Sequence, residues 1–139
     1  MKAAMPNAKL SGVYVQEMAP PGQEVIIGAV HDPQFGPVMM FGSGGTEVEG
    51  LKDLAFGLAP LTKLEINSML KKTWAGRKLD GYRNIPPADL QAVKEVLIRL
   101  AQLAWEFPEI AEIEINPLRV FLDGQGAAAV DIRMRLDFD

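Results

Sequence analysis

Apolar and polar residues alternate strictly from Glu112 to Asn116, which predicts a strand with one apolar face and one polar face. A second stretch, 128–132, predicts the returning strand, and the Asp123-Gly124 pair between the two is a strong signal for a hairpin. If these two residues alone form the loop, the pairing register is fixed. Asn116 then faces Asp131 on the neighbouring strand.

The first forty residues predict an antiparallel meander. Strands are expected over 13–18, 24–30 and 37–41, because proline, glycine and aspartate between them supply the turns. Residues 1–11 hold small and polar side chains and are expected to form an extended lead-in to a single domain over 12–139.

Two helices are expected between the meander and the hairpin. Thr62 and Glu65 fit a capping box, and Gly76 is expected just beyond the end of that first helix. The second helix is expected to follow Pro86-Pro87, since proline is favoured at the first helical position, and its core face recurs every three or four residues at Leu90, Val93, Leu97, Leu100 and Ala104. We expect Trp105 and Phe107 to cover the sheet at the helix end. The fold predicted is α+β, an antiparallel sheet with helices on one face.

Composition narrows the function classes. Of the 139 residues, 48% are hydrophobic and 23% charged, which is ordinary for a globular protein. The net charge of −4 argues against a nucleic-acid or membrane-surface partner. The absence of cysteine excludes disulfides, thiolate metal sites and cysteine nucleophiles, and makes a cytoplasmic location the default expectation.

The predicted hairpin register offers a metal site. Opposed residues have Cβ atoms roughly 4.5–5.5 Å apart, so the Asn116 amide oxygen and the Asp131 carboxylate could bind one hard cation. The same register sets Glu114 against Arg133 and Glu112 against Arg135, which would be ordinary cross-strand ion pairs without function. Both interpretations stay open on spacing alone.

Two other features have both a functional and an ordinary interpretation. The backbone N–H groups of the Gly42-Ser43-Gly44-Gly45 segment could bind an anion together. The segment matches neither the Walker loop nor the dinucleotide fingerprint. The alternative interpretation is a flexible loop. His31 is the sole histidine, which excludes a multi-histidine metal site, and we expect it at the surface.

Four segments, in one order along the chain, carry a resemblance. They are 15–18 with 22–24, 32–37 with 41–45, 80–83 with 86–87, and 112–118 with 130–131. From Gly12 onward the sequence resembles the C-terminal half of an ATP-grasp domain. The similar group is the NDP-forming acyl-CoA synthetases, which includes the ADP-forming acetyl-CoA and succinyl-CoA synthetases.

The resemblance implies ATP or ADP and Mg²⁺ as cofactors, with Asn116 and Asp131 matching the metal ligands of the family. Glu114 matches a catalytic carboxylate that orients a phosphorylated histidine delivered by another domain. The implied activity is that of an ADP-forming acid–CoA ligase. Phosphoryl transfer between ATP and this histidine is coupled, through an acyl phosphate, to formation of acyl-CoA.

Further residues match the nucleotide site of the family. Glu17 and Met18 match the strand that runs along the adenine, and Glu24 matches an acidic residue near the nucleotide. Gly44 and Gly45 match a mobile loop near the phosphates or the incoming histidine.

The resemblance also leaves parts unmatched. Gly57 stands where relatives usually carry an arginine, whose loss would weaken the stabilisation of transferring phosphate. The first ATP-grasp lobe, the CoA-binding domain and the phosphohistidine domain find no match, so we expect these to be partners and the chain alone to be inactive. The alternatives are a non-catalytic assembly module that self-associates or docks on a partner, and a piece of a larger acyl-transferring regulatory protein.

Overall fold

The computed structural model describes residues 7, 9, 11–45 and 53–138, and the predicted lead-in over 1–11 lies almost wholly outside them. The strands are β1 Gln23–Asp32, β2 Gly36–Ser43, β3 Leu54–Leu58, β4 Ile110–Val120, β5 Ala127–Ala129 and β6 Ile132–Leu136. The helices are α1 Lys63–Lys72, α2 Trp74–Leu79 and α3 Leu90–Glu106.

All strand pairs in this sheet are antiparallel. The order is β3-β2-β1-β4-β5, and β6 also pairs with β4. Since β1 occupies one side of β4, strands β5 and β6 follow one another along its other side. The terminal hairpin is thereby fused to the meander as part of one sheet.

The helices cover one face of the sheet. Alternate residues of β1, namely Val25, Ile27 and Ala29, join a core that includes Val93 and Leu97 of α3. The long helix contacts β1, β2 and β4, while α1 and α2 pack towards the β2–β3 side. The predicted α+β class, with helices on one face, is confirmed. The opposite face of the sheet is called the open face below.

The N-terminal strand predicted over 13–18 is wrong. Residues 11–22 form no strand, and Tyr14 and Val15 are exposed. The reason lies in the sheet order, because β1 already has β2 on one side and β4 on the other, so no free edge remains beside it. The strands predicted over 24–30 and 37–41 are confirmed within β1 and β2.

The capping box of α1 is confirmed, since the Glu65 N–H donates to Thr62 Oγ1 at 3.2 Å and the Thr62 N–H donates to the Glu65 carboxylate at 2.7 Å. Gly76 lies beyond the end of α1, as expected, but within a second short helix, α2, that the sequence did not predict. A Cβ there would overlap the carbonyl group of Leu70, so glycine lets α2 pack closely against the end of α1.

Helix α3 follows the prolines as expected, but neither proline is its first residue, because Asp89 is the N-cap and the helix begins at Leu90. Its core face is confirmed, with Val93, Leu97, Leu100 and Ala104 buried and Leu90 packed against the core. Trp105 and Phe107 cover the sheet only in part, being 56% and 48% exposed. The Trp105 ring lies 3.9 Å from where a Cβ of Gly36 would be, at the start of β2, and Phe107 lines a pocket with Met134 and Leu136 of β6.

In the described segments, no helix has the length and apolar character that crossing a membrane would require.

Candidate functional site

The terminal hairpin has the register that the sequence predicted. Glu112 pairs with Arg135 and Glu114 with Arg133. The Asn116 N–H donates to the Asp131 carbonyl at 3.0 Å. At the tip, the Gln125 N–H donates to the Leu122 carbonyl at 2.9 Å, which leaves Asp123-Gly124 as the two-residue loop.

Beside β1, strand β4 contains a bulge that sequence reasoning missed. Val25 pairs with Leu118 but Ile27 pairs with Ile115, so Ile26 alone lies opposite Asn116 and Pro117. The bulge resets the alternation, because Ile115 and Leu118 both face the core while the two residues between them do not. The Asn-Pro pair was the available signal, since a proline within a central strand indicates a bulge.

Asn116 and Asp131 therefore lie opposite each other, away from the helices. Asp131 Oδ2 lies 3.5 Å from Arg133 Nε, and Glu112 Oε2 lies 3.8 Å from Arg135 Nε. The expected Glu112–Arg135 ion pair is thus present, whereas Arg133 turns to Asp131 rather than to Glu114. These pairs are exposed and contribute little stability.

The glycine loop reaches this pair of residues. The Gly45 N–H donates to Asn116 Oδ1 at 3.1 Å, and the Gly44 N–H donates to the Glu24 carbonyl at 3.3 Å. A Cβ at Gly44 would overlap the Val25 backbone, and one at Gly45 would overlap the Glu24 carboxylate. The glycines are therefore required for close approach to β1. Their N–H groups already have protein acceptors, so in this conformation they do not form an open anion cradle.

Glu24 is held in place by Arg119 on β4. The Arg119 Nη2 to Glu24 Oε1 distance is 2.7 Å, and both side chains are partly buried. Arg119 also donates through Nη1 to the Ala19 carbonyl at 3.1 Å, which ties the segment before β1 to the open face. Glu17 and Met18 lie in that segment without forming a strand, and Met18 is 86% exposed.

Glu114 pairs with Gly28 on β1. Gly28 is buried, and the Met40 side chain lies over it, 3.4 Å from where a Cβ of Gly28 would be, so the glycine accommodates Met40 beside Glu114. Glu114 is partly buried and lies two residues before Asn116 on the same face of β4.

Two further residues lie outside this cluster. A Cβ at Gly57 would meet Leu61 and Met69, on the helix-covered face, so a side chain there would start away from Asn116. His31 lies at the surface but is partly buried, and its Nδ1 is buried without a hydrogen-bond partner.

The donor set at Asn116 and Asp131 suits magnesium, since both atoms are hard oxygens. An amide oxygen has two lone pairs, so Asn116 can accept the Gly45 N–H and still coordinate an ion. Among the described residues, no group of three or more histidine, cysteine, aspartate or glutamate side chains could hold a metal. Two protein ligands are enough for Mg²⁺ when water and phosphate complete its shell.

Comparison with known proteins identifies relatives. A family model described as an ATP-grasp domain matches residues 1–136. The chain is 44% identical over 136 residues to Acetate--CoA ligase [ADP-forming] I of Archaeoglobus fulgidus, covering 98% of this chain and 20% of that protein. It is 45% identical over 131 residues to the Acetate--CoA ligase [ADP-forming] I subunit beta of Pyrococcus furiosus, covering 94% of this chain and 56% of that subunit.

Solved structures agree with these relatives. One of the dinucleotide forming Acetyl-coenzyme A synthetase 1 of Ca. Korarchaeum cryptofilum, in complex with coenzyme A, Ca-AMPCP and HgCl+, matches with a TM-score of 0.83 at 44% identity. That match covers 98% of this chain and 58% of the other. A second structure of that enzyme, with coenzyme A and Mg-AMPPCP, has its phosphohistidine segment pointing towards the nucleotide binding site.

The chain thus spans little more than half of the beta subunit and a fifth of the longer relative. By its fold, its family match and its relatives, it belongs to the ATP-grasp domain family, in the group of the ADP-forming acyl-CoA synthetases.

Proposed function

We propose that this chain is the C-terminal half of an ATP-grasp domain that binds ATP or ADP with Mg²⁺ in an NDP-forming acyl-CoA synthetase. There it supports phosphoryl transfer between the nucleotide and a phosphohistidine during acyl-CoA formation. The observation that carries the proposal is the pairing of Asn116 with Asp131 across the hairpin, on the open face of the sheet.

Asn116 and Asp131 would hold the metal ion. When bound there, Mg²⁺ would offset the negative charge of the phosphate groups. The open face already carries Glu24, Glu112 and Glu114, so a nucleotide polyphosphate without a cation would meet like charges there. Nucleotide affinity should therefore depend strongly on the divalent ion.

Glu114 is the residue we assign to the phosphohistidine. Glu114 lies on the open face two residues before Asn116, and a carboxylate there can accept an imidazole N–H and so fix the orientation of the ring. The role is supported by the Ca. Korarchaeum cryptofilum structure in which the phosphohistidine segment points towards the nucleotide binding site.

The remaining nucleotide contacts are assigned to Glu17, Met18 and Glu24. Glu24 is rigid because Arg119 pairs with it, and the same arginine tethers the segment that contains Glu17 and Met18. Gly44 and Gly45 hold the loop against this site. The exposure of Met18 fits a side chain whose covering group, the adenine, is supplied by the ligand.

The other parts of the synthetase would act as partners: the first ATP-grasp lobe, the CoA-binding domain and the phosphohistidine domain. These 139 residues cover 56% of the Pyrococcus furiosus beta subunit, so much of the nucleotide environment is expected to come from elsewhere. The isolated chain should therefore bind Mg-ATP weakly, with Kd on the order of 1 mM, or about 4 kcal/mol.

An amide-shift titration with Mg-ATP tests this function. Asp131→Asn should weaken binding about tenfold, or about 1.4 kcal/mol, because one of the two proposed protein ligands loses its charge. Asp123→Asn, at the exposed hairpin tip, is the matched control and should bind like the wild type. Submicromolar affinity in the isolated chain, or equal affinity in Asp131→Asn, would contradict the proposal.

A second candidate, an assembly module that pairs with another copy of itself, is favoured by one observation. On edge strand β6, the side chains of Ile132, Met134 and Leu136 are 54%, 51% and 48% exposed, and their spacing puts them on one side of the strand. Sedimentation separates the candidates, because a dimer that forms equally with and without Mg-ATP would favour the assembly module.

A further inference from the structure

The glycine loop is held at its base by two residues that bond to each other. Ser43, the last residue of β2, donates its N–H to the Asp53 carbonyl at 3.2 Å and its hydroxyl to Asp53 Oδ2 at 2.8 Å. Ser43 is only 2% exposed, and burial of an unpaired hydroxyl would be costly. The two residues therefore fix where the chain leaves β2 and where it enters β3.

Asp53 is in turn bound to the start of α2. Its carboxylate accepts the Trp74 N–H at 2.7 Å and the Ala75 N–H at 2.8 Å. Partial burial raises the pKa of Asp53, but hydrogen bonds from Ala75, Trp74 and Ser43, together with the Arg77 charge, outweigh it and hold the pKa below its ordinary value. The residue is therefore an anion at neutral pH.

This carboxylate is more than a helix cap. Helix α2 already has its own N-cap, because Thr73 Oγ1 accepts the Gly76 N–H at 3.1 Å. The Asp53 carboxylate also accepts from a third donor, the Ser43 hydroxyl, which lies outside the helix. It therefore joins the helix to the base of the glycine loop.

The other end of the connection is the candidate metal site. Gly45 comes two residues after Ser43, and its N–H donates to Asn116 Oδ1 at 3.1 Å. Between them, the Gly44 N–H donates to the Glu24 carbonyl at 3.3 Å. Hydrogen bonds thus link the N–H groups of α2 to Asp53, and Asp53 to Ser43. Two residues further along the chain, Gly45 is hydrogen-bonded to the Asn116 amide. A backbone donor at Gly45 also requires that Asn116 present its oxygen there rather than its nitrogen.

We propose that Asp53 is a positioning residue for the site: it anchors Ser43, which sets the Gly45 N–H against Asn116 and orients the amide oxygen for the metal. The metal half of this inference rests on the proposed function. The loop half is a property of the chain without any ligand, and the two halves have separate tests.

The first test measures the loop in the wild-type chain, Asp53→Asn and Ser43→Ala. An asparagine at 53 has the size of aspartate but turns an NH₂ group towards one of the N–H donors, while Ser43→Ala keeps the bonds to α2 and removes only the link to the loop. Hydrogen exchange at the Gly45 amide should accelerate at least about tenfold in both variants, and the Asn116 side-chain amide resonances should move.

Asp89→Asn is the matched control. The Asp89 carboxylate is buried and also accepts two backbone N–H bonds, from Ala92 and Gly126, but it lies at the start of α3 and the hairpin tip. This variant should lose stability while leaving the Gly45 exchange rate unchanged, after correction for global opening. Equal acceleration in Asp89→Asn, or no acceleration in both loop variants, would overturn the proposal.

The second test uses Mn²⁺ with ATP as a paramagnetic probe of the site. Both loop variants should show Mn²⁺ affinity reduced several-fold, with unchanged affinity in Asp89→Asn. Wild-type affinity in both loop variants would overturn the positioning role. If the wild-type chain itself fails to bind Mn²⁺ with ATP, the proposed function and the metal half of this inference are wrong, and the exchange rates still decide whether Asp53 anchors the loop.

Discussion

Several residues at this site each form hydrogen bonds with two different parts of the chain. Asn116 accepts the Gly45 N–H through its side chain and pairs with Asp131 through its backbone. Arg119 binds the Glu24 carboxylate and the Ala19 carbonyl. Asp53 and Asp89 each join a helix start to a distant loop. Such residues fix loop positions that local backbone preference would leave undetermined.

Asp89 gives a prediction about stability and pH. Hydrogen bonds from the Ala92 N–H and then the Gly126 N–H hold its pKa below the ordinary value, so its carboxylate stabilises the fold above the unfolded-state pKa of about 3.9. Asp89→Asn should cost about 1 kcal/mol of unfolding free energy at pH 7. Urea unfolding should show this difference shrinking as pH falls below about 4 and through the folded pKa.

The control for Asp89 is Asp123→Asn, which alters an exposed carboxylate at the hairpin tip and should change stability by less than about 0.5 kcal/mol. A stability difference for Asp89→Asn that stays constant from pH 7 to pH 2 would show that the charge of this residue plays no part.

Sequence predicts the residues whose partners are near in the chain. The capping box of Thr62 and Glu65 joins residues three apart, and the hairpin register follows from a two-residue loop. The role of Asp53 has no such local signal, because its partners Trp74 and Ala75 are more than twenty residues away. No local sequence pattern predicts such a contact.

At the scale of elements, local patterns predict that a helix or strand forms better than they predict which elements it packs or pairs with. The core face of α3 follows from its apolar spacing, whereas the strand expected over 13–18 fails because its place beside β1 is taken by β4. The bulge at Asn116-Pro117 is also set by pairing, since β4 must match β1 on one side and the returning strands on the other. Asn116 itself faces the glycine loop because it follows the buried Ile115 in the alternation of β4, and the bulge returns Leu118 to the core.

The junction of α1 and α2 supplies a prediction at this scale. Gly76→Ala would place a Cβ against the Leu70 carbonyl, and relief would require the two helices to separate. Thermal unfolding should show a loss of about 1–3 kcal/mol, as for other overpacked cores. Leu64→Ala, on the exposed side of α1, is the control and should cost less than about 0.5 kcal/mol. Equal stability of Gly76→Ala and the wild type would show that the close packing is unimportant.

At the scale of the whole molecule, one face of the sheet is packed against the helices and the other carries the candidate site. The helices bury the apolar side chains of four strands, while the open face gathers Glu24, Glu114 and the Asn116–Asp131 pair around the glycine loop. The apolar side of β6 remains half exposed at the sheet edge. This division fits the proposal that the chain shares a nucleotide with other parts of a synthetase. The relatives are longer proteins, of which the chain covers 20–58%.

The position of the bound ion is the most direct test of this account. Mn²⁺ with ATP, added in trace amounts to isotope-labelled chain, broadens NMR resonances near the ion. We predict that the Asn116 side-chain amide and the backbone amides of 114–116, 131 and 45 broaden first, and that Asp131→Asn reduces the broadening about tenfold while Asp123→Asn retains it. Broadening centred elsewhere on the chain, or undiminished broadening in Asp131→Asn, would contradict the metal site on which the proposed function depends.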